Sequence, residues 1–256
     1  MSRTFQPIAI PPDLSPAPPG WRWSKLTDIA RLESGHTPSR SRSDWWGGDV
    51  SWLSLTEIRE LDGQWVESTQ LRTNESGIAN SAARILPRGT VCLSRTASVG
   101  FVSIMAKPMA TSQDFANWVC GSELDSDYLM YALICSRAKL RELATGATHK
   151  TIYMPTLEGF HVCAPEVDQQ RRIAARLKLQ LAEVETAQLA ARRQAKDIAM
   201  VRIRILKEML ATLAGVPCKV LGDHAPTTSG TTPPRGTRRY WEPAEVPWVK
   251  TGEVAF

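Results

Sequence analysis

Two textures of apolar and polar positions divide the chain. Between about residues 21 and 165, apolar residues come in short runs, VSWLSL, TVCLSR, VGFVSIMA, FANWVC and FHVCA, separated by Gly, Pro, Asn and Ser. Short runs bounded by such turn formers predict strands. Within this stretch DSDYLMYALICSRAKLRELATG, residues 125 to 146, instead spaces its apolar residues for a helix, with Asp125 or Ser126 as N-cap and Gly146 as its stop. Residues 166 to 214 contain neither proline nor glycine and predict one long helix. Along it Ile173, Leu177, Val184, Ala187, Ala191, Ile198, Val201 and Ile205 recur at alternating steps of three and four once Gln180 and Gln194 join the seam. That is the period of a coiled coil. The expected fold class is α+β, a mixed α/β domain followed by a long coiled-coil helix.

The boundaries follow from the same pattern. Residues 1 to 20 form a proline-rich lead-in expected to be extended, with folded structure beginning near Trp21. The domain runs over 21 to 165 and the helix over 166 to 215, where Gly215 and Pro217 end it. At about 1.5 Å per residue the helix is about 65–70 Å long, the length of roughly 20 base steps of a duplex. A solitary helix would leave its alanine-rich stripe in water, so the stripe calls for a partner helix.

The final segment, residues 219 to 256, repeats the start of the domain. Placing Leu26 on Leu221 matches Asp28 with Asp223, Ala30 with Ala225, Ser34 and Gly35 with Ser229 and Gly230, and Thr37 and Pro38 with Thr232 and Pro233. The match continues through Arg40 with Arg235 and Trp46 with Trp241, and after one inserted residue through Val50 with Val246, Trp52 with Trp248 and Glu57 with Glu253. Such self-similarity marks an internal repeat. The chain reads as a module, a long helix and the head of a second module, too short a piece to bury a core of its own.

Composition narrows the class. With 43% hydrophobic and 22% charged residues the chain is too apolar to be wholly disordered. It contains no run long enough for a membrane span and no signal-peptide pattern, so a cytoplasmic location is expected. The five cysteines are odd in number, far apart and without a CxxC pair; they are expected to be reduced, with no metal site. A formal charge of +5 tilts the choice of partner toward a polyanion. Phosphate-loop, HExxH and GxSxG motifs are absent, as are the N/D-P-P-Y/F and glycine-rich loops of an adenine methyltransferase, so no catalytic residues are assigned.

The order of the local motifs is more specific. A W-x-x-x-x-L-x-D-I-A start is followed by an S-G-x-T-P loop, W-G-G-D-V-x-W-L, S-R-T-A-S-V-G, Q-D-F, and G-A-T-H-K-T-I before a P-x-x-x-Q-Q-R-R-I-A helix. In this order they resemble the DNA specificity subunit of type I restriction-modification systems, in a half form with one complete target-recognition domain. The resemblance covers residues 21 to 214 as domain and spacer helix, and resumes at 219 as the truncated start of a second recognition domain. It implies a DNA-binding, non-catalytic subunit of a host-defence restriction system. In such a system two recognition domains each read half of a bipartite sequence in double-stranded DNA, while antiparallel spacer helices set the gap and dock methyltransferase (M) subunits. Restriction (R) subunits join to complete the nuclease. No cofactor is then expected in this chain; S-adenosylmethionine, ATP and Mg belong to the partner subunits, which methylate adenine and cut.

Base and phosphate contacts require forked and polar side chains on loops. The loop SGHTPSRSRSDWW offers Ser34, His36, Thr37, Ser39, Arg40 and Arg42, and the turn SRTASVG offers Ser94, Arg95, Thr96 and Ser98. Gln113 and the group Thr148, His149 and Lys150 complete the candidates, while His161, inside an apolar strand, reads as a core histidine. The unpartnered stripe also suggests that two copies pair their helices antiparallel into a homodimer with two identical readers. The competing expectation is a truncated coiled-coil protein of structural or regulatory role that binds the methyltransferase without reading sequence.

Overall fold

In the computed structural model, which describes residues 5–146, 150–212 and a few positions beyond (215, 220–223, 225, 226, 228–230 and 232), the short apolar runs are strands. Chain order is β1 (Ile8–Ala9), β2 (Arg22–Lys25), α1 (Leu26–Ile29), β3 (Ala30–Ser34), β4 (Trp46–Leu53), β5 (Trp65–Val66), β6 (Leu71–Thr73), α2 (Glu75–Ala79), β7 (Val91–Ser94), β8 (Val102–Met105) and β9 (Ala110–Thr111). There follow β10 (Phe115–Cys120), α3 (Ser126–Cys135), α4 (Arg137–Leu143), α5 (Met154–Glu158), β11 (His161–Ala164) and α6 (Val167–Ala211). Most of the repeated segment 219 to 256, and Thr148 and His149, lie outside the described residues.

The strands form three sheets, ordered β1-β11-β2, β3-β10-β7-β8-β5 and β6-β4-β9. Pairing is antiparallel except for β4 with β9 and β5 with β8. In the largest sheet Trp118 of β10 lies between Leu32 of β3 and Val91 of β7, and is fully buried. Helix α3 brings Leu129 and Leu133 into one core with Val91, Leu93, Val102 and Ile104. A second core gathers Leu53, Ile58, Met105, Met109 and Phe115 on the other side. Burying a side chain of this size stabilises by roughly 1.5–3 kcal/mol.

Two details differ from the sequence expectation. The lead-in is not wholly outside the fold, because Ile8 and Ala9 are buried and pair with Val162 and His161 as an edge strand. The Ile8 N–H donates to the buried Ser136 hydroxyl at 3.1 Å, and the Cys163 N–H donates to the Pro7 carbonyl at 2.9 Å. An apolar pair just ahead of the prolines is enough to close an edge against α4. The helix expected over 125 to 146 is also interrupted, α3 ending and α4 starting at this same Ser136. Its N-cap is Asp125, whose carboxylate accepts the Tyr128 N–H at 3.0 Å.

The chain divides into two units, residues 1–189 and 190–256. In the first, the opening turn of α6 is rooted in the domain by Gln170 and Ala174, both buried, and by Ile173 packed on the main core. Arg22 spans Glu123 at 2.9 Å and Glu166 at 2.8 Å on the surface beside that turn. In the second, the described structure is the rest of α6, with Arg204 paired to Glu208 one turn on, and a single 3₁₀ turn at Leu221–Asp223. Among the described residues, no helix is long and apolar enough to cross a membrane.

Candidate nucleic-acid interface

The loop after β3 starts with a close approach. The Gly35 backbone lies so near β9 that a Cβ there would sit 2.1 Å from Thr111 Oγ1 and 2.3 Å from the Ser112 carbonyl, so only glycine fits. The next residue locks the course of the loop: the His36 N–H donates to the Thr111 carbonyl at 2.9 Å, and the His36 carbonyl accepts from Trp52 Nε1 at 3.1 Å. Trp46 meets Trp52 edge to face at 5.1 Å and donates from Nε1 to the Ser39 carbonyl at 3.1 Å. The guanidinium of Arg40 lies over both rings, 4.4 Å and 5.1 Å from their centres. Arg40 is exposed and has no carboxylate partner among the described residues. An aromatic platform therefore presents its charge without neutralising it.

Arg42 is differently placed. Its fork is occupied by Asp44, at 2.9 Å from Nε and 2.7 Å from Nη2, and the pair stands beside Trp45. The hydrogen bond from Arg42 holds the Asp44 carboxyl below its ordinary range. Arg42 is thus bound within the loop, and Ser39 and Ser41 share a hydrogen bond at 2.9 Å nearby.

The other loops named from sequence meet this one. The Thr37 hydroxyl donates to Gln113 Oε1 at 2.6 Å, and the Gln113 carbonyl accepts from Arg95 Nη2 at 2.8 Å. Arg95 Nη1 reaches the Ile152 carbonyl at 3.3 Å, while its own backbone bonds Asp114 and Ile152. Thr96 bridges Thr151, and the Ala97 N–H donates to the carbonyl of the exposed Lys150 at 2.9 Å. Residues 37, 95, 113 and 150 to 152, far apart in the chain, are thus tied into one bonded network, exposed at Gln113 and Lys150 and buried at Ile152. Arg95 is its tie; half-buried, it has its acidity shifted to lower pKa by burial.

Ser94 is a correction. It is fully buried, its hydroxyl donates to the Ser98 carbonyl, and it accepts from the Phe101 N–H at 2.9 Å, so it closes the turn from inside and is not offered to a ligand. A serine at a strand end satisfies buried backbone as readily as it meets solvent. Ser34 ends β3 half-buried, its hydroxyl donating to the Gly35 carbonyl, and the Ser98 hydroxyl accepts from Arg59 at 3.2 Å. His161 is half-buried, with Nδ1 3.0 Å from the Gly159 carbonyl.

Sequence reasoning missed several neighbours. A groove of about 250 Å³ beside the tryptophan platform is lined by Arg40, Trp46, Gln70 and Arg72. Arg59, Arg137 and Arg141 gather around Phe101. Gln70, Arg72 and the three arginines around Phe101 sit in ordinary strand, loop and helix text, and nothing in their spacing announces them.

On α6 the stripe is divided. Ile173 and Leu177 are partly covered, Ile173 by the domain core, whereas Val184, Ile198, Val201 and Ile205 are each more than half exposed, with Ala187 and Ala191 exposed between them. Leu189, Ile203 and Leu210 are exposed as well. At about 100° per residue they lie roughly 120–180° around the helix from Ile198, giving it a second apolar side.

A family model for the type I restriction modification DNA specificity domain matches residues 18–191. Among curated proteins, the chain is similar to the type I restriction enzyme MjaIX specificity subunit of Methanocaldococcus jannaschii, 27% identical over 164 residues that are 63% of this chain and 38% of that one. It is also 30% identical over 135 residues to the HindI specificity subunit of Haemophilus influenzae, covering 51% of this chain and 28% of that one. Two solved structures share the fold at a TM-score of 0.54. One is the HsdS subunit from Thermoanaerobacter tengcongensis, at 19% identity over 70% of this chain and 42% of that chain. The other is a chain from a structure of complex assembly and conformational transition of the type I R-M system, at 20% identity over 80% and 48%. The chain thus spans less than half the length of each of these relatives.

Proposed function

Given that the chain belongs to the type I restriction-modification DNA specificity family, we propose that its domain reads one half of a bipartite duplex target and directs adenine methylation and restriction by partner subunits, without catalysis of its own. The observation that carries this reading is the bonded network that ties the exposed Gln113 to Thr37 and, through Arg95, to the buried Ile152 backbone, with the exposed Arg40 on its tryptophans beside it. Ties between loops fix the polar groups relative to one another, the condition for reading base edges and not merely touching phosphate.

Helix α6 is the docking element in this proposal. The stripe from Val184 to Ile205 takes a second helix, and two copies of this chain pair there antiparallel, which makes the target an interrupted palindrome. The second apolar side, at Leu189, Ile203 and Leu210, leaves room for a methyltransferase subunit. S-adenosylmethionine, ATP and Mg are bound by the methyltransferase and restriction partners, and the assembly works in the cytoplasm.

Mapping methylated adenines in DNA exposed to the chain together with its methyltransferase partner tests the proposal. A split symmetric motif is the expected result. An asymmetric split motif retains recognition but removes the homodimer. A stable complex that methylates no defined motif sinks the recognition reading and leaves a coiled-coil protein that only occupies its partner.

A further inference from the structure

Phe101 follows the SRTASVG turn, and three guanidiniums surround its ring, Arg59 at 5.8 Å, Arg137 at 5.3 Å and Arg141 at 5.8 Å from the centre. They come from three places in the chain: the segment between β4 and β5, the start of α4, and the following turn of α4. Arg137 is neutralised, with Nη2 2.7 Å from both oxygens of Asp62, and its Nε donates to the Gly100 carbonyl at 2.8 Å. Arg59 and Arg141 are not neutralised. Arg59 gives one N–H to the Ser98 hydroxyl at 3.2 Å, Arg141 gives Nε to the Val99 carbonyl at 3.1 Å, and neither has a carboxylate partner among the described residues. Both are exposed.

Holding the turn does not require this much charge. One neutral donor would serve the Val99 carbonyl, and a hydroxyl would serve Ser98. Like charges gathered at one ring repel unless an anion joins them. The cluster also borders the candidate reading surface, because the turn it grips is pinned at Arg95 to Gln113 and at Ala97 to Lys150. Guanidiniums with free N–H groups beside reading loops suit phosphate oxygens.

We propose that Arg59 and Arg141, assembled with Arg137 around Phe101, bind the DNA phosphate backbone and so fix the register in which the neighbouring loops meet the bases, while reading no base themselves. This rests on the DNA-recognition reading above. The pairing of Arg137 with Asp62 holds the geometry, so Arg59 and Arg141 are the residues to vary.

The test measures affinity against salt concentration for the full chain bound to its methyltransferase, on a duplex carrying the methylated motif and on a scrambled duplex, for the wild type, R59Q, R141Q and R141K. Each glutamine variant is expected to lower the slope of log affinity against log salt by about 0.9 on both duplexes, with the methylated motif unchanged, and R141K is expected to keep the wild-type slope. Wild-type slopes in glutamine variants with wild-type thermal unfolding would overturn the proposal, and so would a changed motif, since that would make these residues base readers. A wild-type complex that binds both duplexes equally would instead remove the recognition reading, while the slopes still decide whether these arginines meet phosphate.

Discussion

The side-chain carbonyl of Gln170, in the first turn of α6, accepts the backbone N–H of Asp125 at 2.9 Å, and Asp125 is itself the cap of α3. Gln170 Nε2 donates to the Glu123 carbonyl at 3.0 Å and to the Pro165 carbonyl at 2.9 Å. One buried amide therefore joins the start of α6 to the start of α3. Q170A is expected to cost about 2–3 kcal/mol of unfolding free energy, because three backbone groups lose their partner. Urea denaturation measures this, and a cost under about 0.5 kcal/mol would mean that water replaces the amide.

Gly35 is expected to be the least tolerant position of the candidate loop after β3. A methyl group there meets two backbone carbonyls and the Thr111 side chain at 2.1 to 2.3 Å, and the loop must move away from β9 to admit it. G35A is expected to destabilise by about 1–3 kcal/mol and to weaken DNA binding by more than its effect on folding accounts for. Thermal unfolding and a duplex-binding assay on the same sample separate the two losses.

Glu57 makes stability depend on pH. The residue is 3% exposed, and burial raises its carboxyl pKa, partly opposed by the Gln70 N–H, which donates to Oε2 at 2.8 Å. Since the folded value lies above the unfolded one, the folded state holds the proton more tightly. The associated stability is present below the ordinary carboxylate range and is lost as pH rises from that range through the raised folded value. E57Q is expected to remove this loss, becoming more stable relative to wild type from pH 4 to pH 7. A difference between the two proteins that stays constant with pH in urea unfolding would contradict it.

Ile198 is 70% exposed and Val201 55% exposed, so carboxylates at these sites cost the domain fold little. I198D combined with V201D is expected to abolish self-association while leaving the melting temperature of the domain within a few degrees. Sedimentation equilibrium checks the first point. A wild-type chain that is already monomeric would count against the antiparallel pair.

Much of the fold was legible in the sequence because its strands are short apolar runs fenced by turn residues, and because α6 lacks proline and glycine over its whole length. β1 was not legible, since Ile8 and Ala9 find a partner more than 150 residues away, beyond the reach of any local pattern. The loops of the candidate site were legible as loops. Which of their residues face outward was not: Ser94 and Ser98 look alike in the sequence, yet one is sealed inside the turn and the other meets Arg59. Arg59 and Arg141 escaped notice because only the fold brings them to Phe101.

On the proposed function, the closed pair between Arg42 and Asp44 bears on how this loop can diversify. Arg42 already stands in the exposed loop beside Arg40, its fork closed by its neighbour two residues on. Replacing Asp44 with asparagine would release a forked cation without adding one, and would do so where the loop has no core contact to lose, since both side chains are more than half exposed. New preference can thus arise by the loss of a carboxylate, one substitution from the present sequence, and a D44N protein of unchanged stability with an altered methylation motif would be its record.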